Sequence, residues 1–351
     1  MSYAPILILG IAIGAVAGLL FPPRPVPREG GIAAHDQGAG GDGPPLSAIG
    51  RRGAPHARPI GDLHRTQFDQ PAGTDEEYEA YLERHGRSKE ALLGVYFLSK
   101  DDTHLEEAAR RYPDDPNVQL LVISKHLFPE ERSQWIERFK ASQPNNLIAS
   151  IFRGGDLLAR GEIEAGLLEM SEAADQEGYR DFVVENCFAM EAALVELGCP
   201  AVETKMRSGP LDVFRHVNPM NAELRRLEKL AAESPDPETK AGIARIGLEI
   251  GRQLDSGEAG TRLLNHLVAR SMMERFAELL PAEESNTIPP VGHVQSQLDF
   301  YTGLDQRSGE LNEQQYIHLL NRTRSEGAFG AMRWLSSQLD VPWEGAERWR
   351  D

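Results

Sequence analysis

The chain has 351 residues and a net charge of −17, with 54 acidic side chains against 37 basic ones. Only five of the acids and six of the arginines precede residue 74, so the excess negative charge belongs to everything after it. A body of that sign repels phosphate backbones, which argues against nucleic acid as its partner. The two cysteines, Cys187 and Cys199, lie twelve residues apart on what reads as one helix. That spacing separates them by about 18 Å, beyond disulfide reach, so both read as small buried apolar residues.

The chain opens on an apolar run. No charged side chain occurs between Ala4 and Phe21, and eighteen residues of helix rise about 27 Å, roughly the hydrocarbon thickness of a bilayer. Residues 1–21 therefore read as a single transmembrane anchor. No Lys or Arg precedes the run, and its one A-x-A site, Ala15-Val16-Ala17, lies inside it, so retention is expected over cleavage as a signal. Arg24 and Arg28 follow the helix, with Arg51 and Arg52 farther on. By the positive-inside rule they favour a cytoplasmic body over an extracytoplasmic one. Gly10, Gly14 and Gly18 recur along one helix face, a spacing that lets two membrane helices pack closely and points to self-association.

Residues 22–73 hold ten Gly and nine Pro and few large apolar side chains. Pro22, Pro23, Pro25 and Pro27 stop the helix at the membrane surface. The remainder cannot bury enough surface to offset its ordering entropy and reads as a disordered linker, spanning about 40 Å on average. Gly38, Gly40 and Gly43 match a dinucleotide-binding spacing, but no strand enters it and Pro44-Pro45 follow, so it carries no chemistry.

From Thr74 to the C-terminus the punctuation is helical and no period-two strand is evident. Thr74 with Glu77, and Thr103 with Glu106, read as capping boxes. Helices are expected to close at Gly86, at Tyr112-Pro113 and around Gln143-Pro144. The stretch 179–198 carries one apolar stripe, Val183, Cys187, Met190, Leu194 and Leu197, stopped by Gly198 and Pro200. Asp236 with Pro237 starts the next clear helix, with Ile243, Ile246, Ile250 and Leu254 as its stripe. A longer helix is expected over 258–280, then an irregular segment over 281–296, then helices over 312–324 and 326–339. The body 74–351 is thus all-α, with a possible sub-boundary near 200–218.

Pro113 and Pro144 close successive helix pairs 31 residues apart, and Gly178 follows 34 later, a spacing typical of stacked helix-turn-helix units. The clearest unit runs from Leu147 to Gly178. Gly154 stands in its first helix with Leu157, Gly161 closes that helix, and Gly166 and Ala173 are the small residues of the second. This unit resembles a tetratricopeptide repeat, over roughly residues 90–200. The resemblance implies a right-handed superhelix whose concave face binds peptides or partner proteins, with close crossings at Gly154 and Gly166. Ser150 and Arg153 depart from it, standing where the family has Trp and Leu.

Catalytic signatures are missing from the sequence: there is no Gly-Lys-Ser/Thr phosphate loop, H-E-x-x-H, C-x-x-C or G-x-S-x-G. His104 and Glu107 share a face at i, i+3, but they read as a solvated first turn and not a metal site. His266 reads as a satisfied, partly buried histidine, and Cys187 has no base that the sequence can place beside it. Trp135, Phe139, Phe329 and Trp334 read as core, whereas Trp343 and Trp349 sit in a polar tail that either docks back or stays exposed. No catalytic residue, cofactor or metal is expected. The sequence thus reads as a membrane-tethered helical-repeat scaffold for a protein or peptide partner. The alternatives are an all-α enzyme without a readable signature and a structural envelope protein.

Overall fold

The structure, a computed structural model, describes residues 72–209, 216–256, 263–285, 300, 303–304 and 307–342. The anchor with Gly10, Gly14 and Gly18, the linker up to residue 71, most of the 281–296 segment, and Trp343 and Trp349 lie outside the described residues. Among the described residues the fold is all-α, and no helix there is long and apolar enough to cross a membrane.

The helices start where short polar side chains satisfy orphaned amides. Thr74 and Glu77 form a reciprocal capping box on α1 (Asp75–Arg84), which buries Tyr78, Tyr81 and Leu82. Ser88 caps α2 (Lys89–Ser99). The next helix, α3 (Asp102–Arg111), is capped by Asp101 through the Thr103 amide. The Thr103–Glu106 box expected from sequence is therefore replaced two residues upstream, because a carboxylate already occupies the capping position and Thr103 falls inside the first turn. Asp115 caps α4 (Pro116–Lys125), with Pro116 at its first position. A 3-10 turn, Pro129–Glu131, leads into α5 (Arg132–Ser142). The pair α6 (Leu147–Ala159) and α7 (Ile163–Asp175) follows, with Asn146 capping α6.

The stretch expected as one helix over 179–198 begins later. Phe182 takes a left-handed conformation, φ 57°, and α8 runs Val183–Glu196; Asp181 Oδ1 accepts from the Val183 amide at 3.1 Å. Gly198, φ +79°, ends it, so Cys199 is off the helix that carries Cys187. Both thiols are free. Then come α9 (Ala201–Arg207), α10 (Val217–Glu233) and α11 (Pro237–Asp255), the last capped by Asp236. The final helices are α12 (Leu263–Ala277), the short α13 (Ala282–Ser285), α14 (Glu313–Ser325) and α15 (Gly327–Gln338). The turn of α13 stands at the start of the segment expected to be irregular.

Burial sorts the first seven helices into two kinds. The outer ones bury a single stripe: Leu105, Ala108 and Ala109 on α3, and Trp135, Ile136 and Phe139 on α5. The first helices of the three pairs are instead buried all round, α2 continuously from Ala91 to Phe97 and α4 from Asn117 to Ser124. A helix apolar or buried on every side needs neighbours on every side. For α2 these are α1, α3 and α8; α4 packs on α3 and α5; α6 packs on α5, α7 and α10. The α10–α11 pair lies beside the α6–α7 pair, α10 on α6 and α11 on α7. Helix α12 packs on α11 and α10, and the α14–α15 pair joins the body through α9 and α12.

Candidate functional site

The residues that carried the repeat reading come together between α6 and α7. A β-carbon at Gly154 would stand 2.9 Å from Met170 Cγ and 3.1 Å from the Gly166 carbonyl; one at Gly166 would meet Leu158 at 2.7 Å and the Gly154 carbonyl at 3.1 Å. The two helices touch backbone to backbone there. Gly161, φ +80°, turns the chain between them, and Ala173 is fully buried on α7. A bridge from Asn146 to Gly178 ties the end of the unit to its beginning.

Ser150 and Arg153 depart from the repeat pattern because this junction is polar. Arg153 Nη1 lies 2.8 Å from Glu169 and its Nε 2.9 Å from Glu137. Lys140 reaches Glu169 at 3.3 Å and Glu172 at 3.2 Å and donates to Ser150 Oγ. Ser150 in turn donates to Gln176 Oε1 at 3.1 Å. Where the family packs large apolar side chains, α5, α6 and α7 are joined by charges that pair with one another, as buried charges must.

The buried helices α2, α4 and α6 are covered by later helices of the same chain. Helix α8 lies on α2 at a backbone contact, where a β-carbon on Gly94 would stand 2.6 Å from the Ala189 carbonyl oxygen. It is pinned to α4 by a buried reciprocal pair: Asn117 Nδ2 donates to Asn186 Oδ1 at 2.8 Å, and Asn186 Nδ2 returns a bond at 3.1 Å. At its end Glu196 accepts from Arg84 Nε at 2.7 Å and lies 2.5 Å from His85 Nε2. Helix α10 covers α6, with the Glu223 side chain against Gly155 and held by Arg132 at 3.0 Å and Arg226 at 2.9 Å.

Between the exposed Glu185 and Glu196, α8 shows an apolar strip to solvent. Phe188 is 56% exposed and Val195 62%, Ala192 between them is exposed and Val184 half-buried. Positions 184, 188, 192 and 195 line one side of a helix. Arg324 on α14 lies 5.8 Å over the Phe188 ring, and the same guanidinium pairs with Glu191 and bonds Ser208. Lys205 on α9 also pairs with Glu191. The strip is therefore edged by a fixed polar rim. The sequence reading missed these residues, although their signal is local: Phe188 and Val195 fall off the Val183–Cys187–Met190–Leu194 stripe, two large apolar side chains seven apart on the face meant for water.

A second cluster gathers at the junction of α10, α11 and α12. Tyr179 Oη accepts from Asn265 Nδ2 at 2.8 Å and lies 3.1 Å from His216 Nε2. His266, expected as a satisfied histidine, pairs through Nδ1 with Asp255, which Arg270 also holds at 2.8 Å. His216, Asn265 and His266 are all buried. The arrangement satisfies polar groups inside a core. Of the other candidates, Glu107 is taken by Arg87 at 2.7 Å and Arg111 at 2.8 Å; Trp135 and Phe139 are buried and Trp334 half-buried. Among the described residues no group of three or more His, Cys, Asp or Glu stands together as a metal site.

No family profile, curated protein or solved structure matches the chain.

Proposed function

We propose that this chain is a membrane-tethered helical scaffold that docks a protein or peptide partner on the solvent side of α8. The observation that carries the reading is the strip Val184, Phe188, Ala192 and Val195. Helix α8 is held by α1, α2, α4, α9 and α14, so the strip is held rigid and presented, and a partner pays little to order it. Covering Phe188 and Val195 is worth about 1.5–3 kcal/mol each, and the charged rim supplies orientation and selectivity. The tether is the uncharged run Ala4–Phe21, whose Gly10, Gly14 and Gly18 face supports pairing of anchors in the membrane. The acidic body turns away nucleic acid. Neither a cofactor nor a metal enters this reading, and no residue is assigned a catalytic role.

The test is partner capture by the full chain in detergent, comparing wild type with the Phe188→Asp, Val195→Asp double variant. Both sites are exposed, so folding stability changes by no more than about 0.5 kcal/mol at each. A partner whose recovery falls about tenfold or more in the double variant supports the reading. Equal recovery of every captured protein from both chains overturns it.

A further inference from the structure

The C-terminal end of α8 lies beside the point at which the last third of the linker joins the body, and that nearness points to an occupant for the strip. Gly73 sits against the end of α8: a β-carbon there would stand 3.3 Å from Leu197 Cδ2, and its amide donates to Tyr78 Oη at 3.2 Å. The chain therefore arrives at the C-terminal end of α8, on the side of Leu197 and half a turn around the helix from the strip. Immediately before this point the sequence runs Ile60-Gly-Asp-Leu63-His-Arg-Thr-Gln-Phe68-Asp-Gln-Pro71. Residues 22–73 contain seven large apolar side chains, and three of them, Ile60, Leu63 and Phe68, fall in these twelve positions.

We propose that residues 60–71 of this chain are the resident ligand of the α8 strip, with Ile60, Leu63 and Phe68 covering Phe188, Ala192 and Val195 until a partner displaces them. Reach permits it. Thirteen residues separate Ile60 from Gly73 and extend about 43 Å, while Phe188 lies nine residues, about 14 Å, back along α8 from Leu197 and half a turn around it. Size favours it as well. A stable contact between separate molecules buries about 800 Å² on each side, so a partner must reach past the four side chains onto the charged rim around them. A tethered segment meets the strip at an effective concentration in the millimolar range and needs no further surface. The displacement by a partner rests on the docking role proposed for the strip; the occupancy itself does not.

The experiment uses the purified full chain in detergent with no partner added. Phe188 is replaced by the photo-crosslinking residue p-benzoylphenylalanine, the sample is irradiated, and linked peptides are mapped by mass spectrometry. The expected result is a dominant intrachain link to residues 60–71, falling about tenfold in the Ile60→Ser, Leu63→Ser, Phe68→Ser variant, whose thermal melt matches that of the parent. Links confined to other parts of the chain, or an undiminished link in the triple variant, overturn the proposal. In a mixture of 15N-labelled and unlabelled chains, a dominant link between the two isotopes also overturns it, in favour of a second copy on the strip. Because no partner is present, this result is independent of whether partner capture fails.

Discussion

A methyl group at Gly94 has nowhere to go. Its nearest neighbour, at 2.6 Å, is the carbonyl oxygen of Ala189, and the carbonyl carbon follows at 3.0 Å. Both belong to the backbone of α8, so relief requires moving a helix, whereas the Leu158 atoms at 2.7 Å from a β-carbon on Gly166 belong to a side chain that can turn aside. Gly94→Ala is expected to destabilise the body by about 2 kcal/mol, in the range of over-packed cores. Gly242 in α11 has nothing within 4 Å of an added β-carbon, and Gly242→Ala is expected to stabilise by about 0.5–1 kcal/mol through helix propensity. Thermal melts of the two variants check the contrast; opposite shifts are expected, and a Gly94→Ala melt equal to wild type would show that α2 and α8 slide freely. The crossing of Gly154 with Gly166 was legible in the sequence because the two are twelve residues apart in one hairpin. Gly94 was not, because its partner is 95 residues away and nothing local to either glycine or alanine marks the other.

Among elements, the joint of α8 with α9 and α14 rests on one carboxylate. Burial pushes the Glu191 carboxyl up, but hydrogen bonds from Lys205 and Arg324 outweigh it and hold it below its ordinary 4.5. A carboxyl lower in the folded than in the unfolded chain adds stability above its unfolded value and loses it as pH falls through the folded one. Glu191→Gln is therefore expected to cost about 2 kcal/mol near pH 7, the scale of charge-assisted bonds. That difference from wild type should shrink towards zero as the pH drops below 4.5. Denaturant melts of both chains from pH 7 to pH 3 measure it, and a constant gap would mean the Glu191 pairs contribute nothing specific. The elements themselves were largely readable. Thr74 with Glu77, Asp236 with Pro237, and the stops at Gly86 and Gly198 depend only on residues within a turn of one another. Where two local signals competed, at Asp101 against Thr103, the sequence reading placed the cap wrongly, since either residue type caps a helix and only the approach of the chain decides.

At the scale of the molecule, an open array of helix pairs touches only its nearest neighbours and frays from its ends. This chain is closed by α8. Asn186 bonds Asn117 across 69 residues, Glu196 bonds Arg84 across 112, and Glu191 pairs with Arg324 across 133. Such distances are invisible to periodicity, which is why the helix pairs were legible and the packing of α8 over them was not. Closure has a measurable consequence. Asn186→Ala strips the buried Asn117 amide of both bonds, at a cost of about 1–3 kcal/mol, equivalent to a roughly five- to 150-fold rise in the open population. If α8 holds the array together, amide exchange in α2, α4 and α14 should quicken by the same factor, since all three are released by one opening. Exchange that quickens in α8 and the start of α4 alone would make the contact a local one and leave each helix pair to stand by itself. The distinction bears on docking, because only a closed body fixes Phe188 and Val195 firmly enough for a partner to meet a surface already in place.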